Sequence, residues 1–277
     1  MEFPAPHIHH AQPFHTHTII LLHGRCSNGL EFAEELFSST TSKGKNLASC
    51  LPTYRWVFPT SRDRWSTTFH EDVCSWFDAY SLNDIQKRQE LQKDGLRESI
   101  LYILDIIEEE ARLLDGQLGH IYLGGISQGM ATAIWAFFAG IGTGQVQGPL
   151  GGLLGFCGWL PFAQQLEGGL LDKSTLNGPI IHQAQRLVST FFFDEIAGRE
   201  MSQANQPEDS SVLSTPVFLS HGADDEWVSV ELGRQASRII RTIMDRVEWH
   251  EFTGAEGEGH WIKEPEGFDQ ILQFLQT

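Results

Sequence analysis

The chain has 277 residues, 41% of them hydrophobic, which is enough to bury a sizeable core, and no low-complexity linker divides it, so one domain over 1–277 is expected. Against 19 Lys and Arg stand 36 Asp and Glu, and the resulting net charge of −17 argues against nucleic acid or an anionic membrane surface as a partner. No run approaches the ~18 apolar residues of a membrane span. The start, Met1-Glu2-Phe3-Pro4-Ala5-Pro6, lacks the basic segment and apolar core of a secretory signal, so a cytoplasmic setting without membrane insertion is expected. Cys26, Cys50, Cys74 and Cys157 show no C-x-x-C spacing and read as reduced thiols rather than disulfides or zinc ligands.

Histidines crowd the first stretch: His7, His9, His10, His15 and His17. No carboxylate or cysteine stands at a recognisable ligand spacing from them, so no metal is expected. His15 and His17 alternate with Thr16 and Thr18 and read as exposed edge positions. The first apolar strand, 18–22, runs into His23-Gly24-Arg25-Cys26-Ser27-Asn28-Gly29. A glycine here lets the backbone turn close to a nucleophile carried elsewhere, and the Arg25 N–H is the loop's candidate donor to an oxyanion. The clearest helix covers 96–114, where Leu96, Ile100, Ile103, Leu104, Ile107, Ala111 and Leu114 recur at helical spacing. Glu108-Glu109-Glu110 on it reads as a solvated face, not a metal site.

At 125–129 the chain reads Gly-Ile-Ser-Gln-Gly, with the apolar run 121–123 before it and a helix-compatible run, 130–139, after it. This is the pattern of a nucleophile elbow, in which glycines flank a serine held on a strained strand-to-helix turn so that its Oγ stands exposed at the end of the sheet. Ser127 is the candidate nucleophile, and the N–H of Gln128 completes the oxyanion hole with that of Arg25. After a strand-like run at 216–220 comes His221-Gly222-Ala223-Asp224-Asp225-Glu226-Trp227-Val228, a loop that can hold an orienting carboxylate, for which Asp225 is the choice. A second such run, 247–252, and a glycine-rich loop then deliver His260, the candidate base, ahead of a last helix at about 265–275. Ser, Asp, His is the chain order of α/β-hydrolases. In such a triad the histidine takes the serine proton while the aspartate fixes its tautomer and stabilises the imidazolium. His182 is a weaker competitor for the base.

Strand-like and helix-like runs alternate from Thr18 onward, the pattern of a mostly parallel central sheet flanked by helices. In the order and spacing of its motifs the chain resembles the acyl-protein thioesterase and carboxylesterase group, the phospholipase/carboxylesterase family of α/β-hydrolases. The matches are Leu22-His23-Gly24 with Gly29, Ser75-Trp76-Phe77-Asp78, the elbow, Gly158-Trp159-Leu160-Pro161, His221-Gly222 with Asp225 and Val228, and His260. The resemblance implies an α/β-hydrolase fold and a cofactor-free serine esterase or thioesterase acting on acyl esters or thioesters, whether of an S-acylated protein or a small metabolite. It also selects Asp225 over Asp224, and it implies that the Trp76-Phe77-Asp78 segment helps shape the acyl-chain pocket; Trp159 is a further candidate for substrate binding.

Two departures from that family stand out. Arg25 puts a cation beside the oxyanion loop, which points to a substrate with a negative group; the plainer alternative is a side chain in solvent with only its backbone in use. The segment 162–214 is much longer than the family's usual link. It carries a helix-compatible stretch around 180–193 and a polar run, 202–211, and is either a lid over the pocket or an added helix packed on the core. Rival readings are a specialised metabolite hydrolase or acyltransferase, and a ligand-binding protein on a hydrolase scaffold; an intact Ser127, Asp225 and His260 argue against the second.

Overall fold

The computed structural model describes residues 2–171, 190–197 and 210–277. Seven strands make the main sheet: β1 (His7–His9), β2 (His17–Leu22), β3 (Tyr54–Phe58), β6 (Ile121–Ile126), β7 (Gly152–Phe156), β8 (Val217–Gly222) and β9 (Val247–Phe252), in the order β1-β3-β2-β6-β7-β8-β9. Every pairing is parallel except β1 with β3. A separate antiparallel hairpin, β4 (Asp63–Ser66) with β5 (Glu71–Cys74), stands off the sheet. The helices are α1 (Gly29–Ser38), the short α2 (Leu47–Cys50), α3 (Gln92–Leu113), α4 (Gln128–Thr143), α5 (Ala163–Leu171), α6 (Val230–Ile243) and α7 (Glu266–Leu275).

Both faces of the sheet are covered, as alternation along β2 shows. Ile19 and Leu21 join Phe32 and Leu36 of α1 and Phe268 and Ile271 of α7 in one buried cluster. Ile20 and Leu22 point the other way, into a cluster built on Ile100 and Ile103 of α3, Ile134 of α4 and Ile239 of α6. Strands buried on both faces read as continuous apolar runs, and the parallel sheet brings the β2, β6, β8 and β9 exit loops to one edge.

Two sequence expectations are corrected here. Glu108 and Glu109 are exposed, but Glu110 is buried: it accepts hydrogen bonds from Thr18 Oγ1 at 2.9 Å and Arg55 Nε at 3.0 Å, closing an ion pair under the sheet. His17 is not on an edge, because β2 lies between β3 and β6, and its ring stacks on His120 at 4.6 Å. His15 is likewise only half exposed, with Nε2 2.8 Å from Thr18 Oγ1. The edge on this side of the sheet is β1, which the sequence did not reveal. Of the long segment 162–214, the described parts pack on the core: Phe191 and Phe192 stack near Trp135, and Leu166, Ile196, Val212 and Leu213 are fully buried. His182 and most of the polar run at 202–211 lie outside the described residues. Among those residues no helix is long and apolar enough to cross a membrane.

Candidate active site

Ser127 sits where β6 turns into α4, with φ 56° and ψ −122°. A non-glycine residue in that region costs about 1–3 kcal/mol and persists only where neighbours over-determine it. Ser127 N donates to Phe156 O at 2.8 Å, tying the turn to the neighbouring strand. A Cβ at Gly129 would lie 2.2 Å from Leu22 O, and one at Gly125 2.6 Å from the Gly129 backbone, so both flanks must be glycine for the turn to close against β2. A Cβ built on Gly24 would stand 3.5 Å from Ser127 Cβ, which places the β2 exit loop beside the serine.

The structure puts Asp225 and His260 together. His260 Nδ1 lies 2.7 Å from Asp225 Oδ2, while the carboxylate's Oδ1 accepts from Trp227 N at 2.9 Å and Val228 N at 2.8 Å. The Asp225 side chain is fully buried. Burial alone would raise its pKa, but hydrogen bonds from His221 and His260, the charge of His260 and the Val228 N–H outweigh that and hold the carboxyl well below the usual range. Asp224 is used differently, accepting from Gly254 N at 2.7 Å and bracing the loop that carries His260.

The two His-Gly histidines are internal struts. His23 is buried, with Nδ1 2.6 Å from Gly24 O and Nε2 accepting from Ser61 N at 3.0 Å, and burial lowers its pKa to about 4. His221 Nε2 lies 2.8 Å from Val228 O and 3.2 Å from Asp225 Oδ2, bracing the acid loop.

Ser127 and His260 line one cavity of about 550 Å³. Arg25 and Cys26 of the β2 exit loop share its wall with Phe69, Leu82 and Trp227, and Glu35 and Glu256 stand at its rim. Sequence reasoning missed Phe69, Leu82 and Trp227. Nothing in residue spacing brings a hairpin tip or the residue two after Asp225 to a cavity wall.

Trp76, Phe77 and Trp159, expected to shape the pocket, are fully buried and none lines the cavity. They belong to the buried core cluster that also holds Met130 and Ile134 of α4. Gln128 is the link: its Oε1 accepts from Trp76 N at 2.9 Å and its Nε2 donates to Phe77 O at 2.7 Å, while Trp76 Nε1 donates to His23 O at 2.8 Å. The side chain next to the serine thus fixes the segment 76–77 and, through Trp76, the β2 exit loop.

Cys157, Asp225 and His260 bring donor atoms within 4.8 Å of one another. Burial pushes the Cys157 thiol up to about 12, so it stays protonated, and the Asp225 carboxylate is already saturated by N–H donors. That chemistry fits an oriented acid–base pair better than a metal site.

A family model described as Phospholipase/Carboxylesterase matches residues 4–184, well over half of the chain. The chain belongs to the phospholipase/carboxylesterase family. It is an ester-bond hydrolase of the α/β-hydrolase fold. Curated relatives in this family include acyl-protein thioesterase 1 of Yarrowia lipolytica, 25% identical over 96% of this chain and 92% of that protein. Acyl-protein thioesterase 1 of Gibberella zeae is 24% identical over 98% of this chain and 94% of its own length. The crystal structure of Zea mays acyl-protein thioesterase 2 has the same fold, with a TM-score of 0.66 at 21% identity over 99% of this chain and 98% of that one.

Proposed function

We propose that Ser127, Asp225 and His260 form the catalytic triad and that the enzyme hydrolyses carboxylic esters or thioesters of acyl groups through an acyl-serine intermediate. The observation that carries this reading is the His260–Asp225 hydrogen bond of 2.7 Å in a loop pair that shares its cavity with a serine on a strained elbow. His260, with Nδ1–H engaged by the aspartate, offers Nε2 as the base toward Ser127 Oγ. The serine attacks the carbonyl carbon, and the Arg25 and Gln128 N–H groups receive the negative oxygen. His260 then passes its proton to the leaving alkoxide or thiolate, and a water activated by the same imidazole frees the acid from Ser127. The curated relatives' names support a thioester as one substrate of this site.

The test is turnover of 4-nitrophenyl butyrate and of an acyl thioester by the wild-type enzyme and by Ser127→Ala. Hydrolysis of at least one by the wild type, and a fall of about 10⁴-fold or more in the folded variant, is expected. Equal rates in the two proteins would remove Ser127 from the mechanism.

A further inference from the structure

The described residues include six half-buried arginines: Arg25, Arg55, Arg62, Arg64, Arg97 and Arg234. Five have a carboxylate within 4 Å: Arg55 has Glu110, Arg62 and Arg64 share Glu98, Arg97 has Asp94, and Arg234 has Glu231 and Glu251. Arg25 is the exception, for among the described residues no carboxylate stands that close to its guanidinium. Its side chain is not in solvent either. One NH group donates to Ala79 O at 3.2 Å, and the guanidinium lies 4.9 Å from the centre of the Phe69 ring. The carboxylate whose charge reaches it, Asp78, is itself occupied by Thr67 N and Oγ1. A partly desolvated cation held on a ring in the wall of the Ser127 cavity, with donors left over, is a fixed receptor for an anion.

The same cavity also carries the other sign. Glu35 on α1 and Glu256 on the loop that carries His260 both line the cavity and lie close enough for the charge of Glu256 to act on Glu35. On the triad reading, on which this step rests, His260 hands its proton to the leaving group, so the leaving group lies toward these two carboxylates and an anionic one is repelled there. We propose that Arg25 is a specificity-determining residue whose guanidinium receives a carboxylate on the acyl part of the substrate. The preferred substrates are half-esters or half-thioesters of dicarboxylic acids with a neutral or cationic leaving group, and hydrolysis releases the dicarboxylate and the free alcohol or thiol.

Initial rates with mono-4-nitrophenyl glutarate and 4-nitrophenyl pentanoate, corrected for spontaneous hydrolysis, test this, because the two esters share a leaving group and an acyl length. Arg25→Gln should lower the ratio of kcat/KM, glutarate over pentanoate, about tenfold or more, mainly by raising KM for the charged ester, and Arg25→Lys should restore part of it. In the wild type alone, free glutarate should inhibit pentanoate-ester hydrolysis at about tenfold lower concentration than free pentanoate. An unchanged ratio in Arg25→Gln, or glutarate no better an inhibitor than pentanoate, overturns the assignment and leaves the side chain as a brace between Phe69 and Ala79. An Arg25-dependent gain for 4-carboxyphenyl pentanoate over phenyl pentanoate would overturn the acyl-side placement. Turnover of the pentanoate ester separates the two levels. With it present and the ratio unmoved, only the role of Arg25 fails; with neither ester hydrolysed by the wild type, the hydrolase reading fails as well.

Discussion

Ser127 holds a backbone conformation that few side chains tolerate, and Gly129 is what permits it. Gly129→Ala places a methyl 2.2 Å from Leu22 O, a backbone atom of an interior strand that cannot swing away. The expected outcome is a loss of at least about 3 kcal/mol or failure to fold, read from urea or thermal unfolding. The elbow was legible in the sequence because glycine, serine and glycine at that spacing state a backbone geometry directly. The choice between Asp224 and Asp225 was not, since residue type is the same; it rested on the resemblance, and the structure puts Asp225 on His260 and Asp224 on Gly254.

Asp225 carries a second, pH-linked expectation. Its folded pKa is depressed relative to an unfolded value of about 4, so the stability it contributes is fully present above that value and is lost as pH falls through the lower folded one. Wild type should therefore exceed Asp225→Asn in unfolding free energy at pH 5, and the margin should shrink as pH is lowered further below about 4. A margin that grows toward acid would contradict the sign. In turnover at neutral pH the same variant should lose about 10³–10⁴-fold in kcat, because an amide no longer fixes the imidazole tautomer.

At the scale of elements, Gln128 joins three parts of the chain that sequence analysis treated separately. Only its backbone N–H was expected to matter. Its side chain clamps Trp76 and Phe77, and Trp76 in turn holds His23 O. Gln128→Ala leaves a buried N–H and a buried C=O without partners, at about 1–3 kcal/mol each. Denaturant unfolding should show a loss of about 2–6 kcal/mol, while the folded variant keeps its N–H for the oxyanion and retains far more activity than Ser127→Ala. This clamp also accounts for the buried positions of Trp76 and Phe77.

The helix α3 teaches the limit of periodicity. Its apolar stripe was legible, yet Glu110 looked like the third member of a solvated run until β2 and β3 brought Thr18 and Arg55 against it. Partners that are 92 and 55 residues away leave no local trace. Breaking this buried pair with Glu110→Ala should cost about 3–5 kcal/mol in unfolding free energy. Catalysis by the folded fraction should change little, since the pair lies at the start of β2 and the cavity at its other end.

Across the whole molecule, one parallel sheet collects the ends of β2, β6, β8 and β9 at a single edge, and that topology assembles a site from residues as far apart as Arg25 and His260. The alternation of apolar runs made the sheet and its helices readable from residue order. The edge strand β1 escaped because three residues rich in histidine carry no apolar period. The cavity wall escaped for a different reason: Phe69 sits at the tip of the β4–β5 hairpin and Trp227 beyond Asp225, and only the folded chain brings both, still partly exposed, to the cavity.

Intact-mass measurement after treatment with a fluorophosphonate tests the central claim most directly, since that reagent bonds covalently to a serine only where a base and an oxyanion hole activate it. One adduct per chain in the wild type and none in folded Ser127→Ala is the predicted result. An unmodified wild type, or an adduct that persists in Ser127→Ala, would contradict the assignment of Ser127 as the nucleophile.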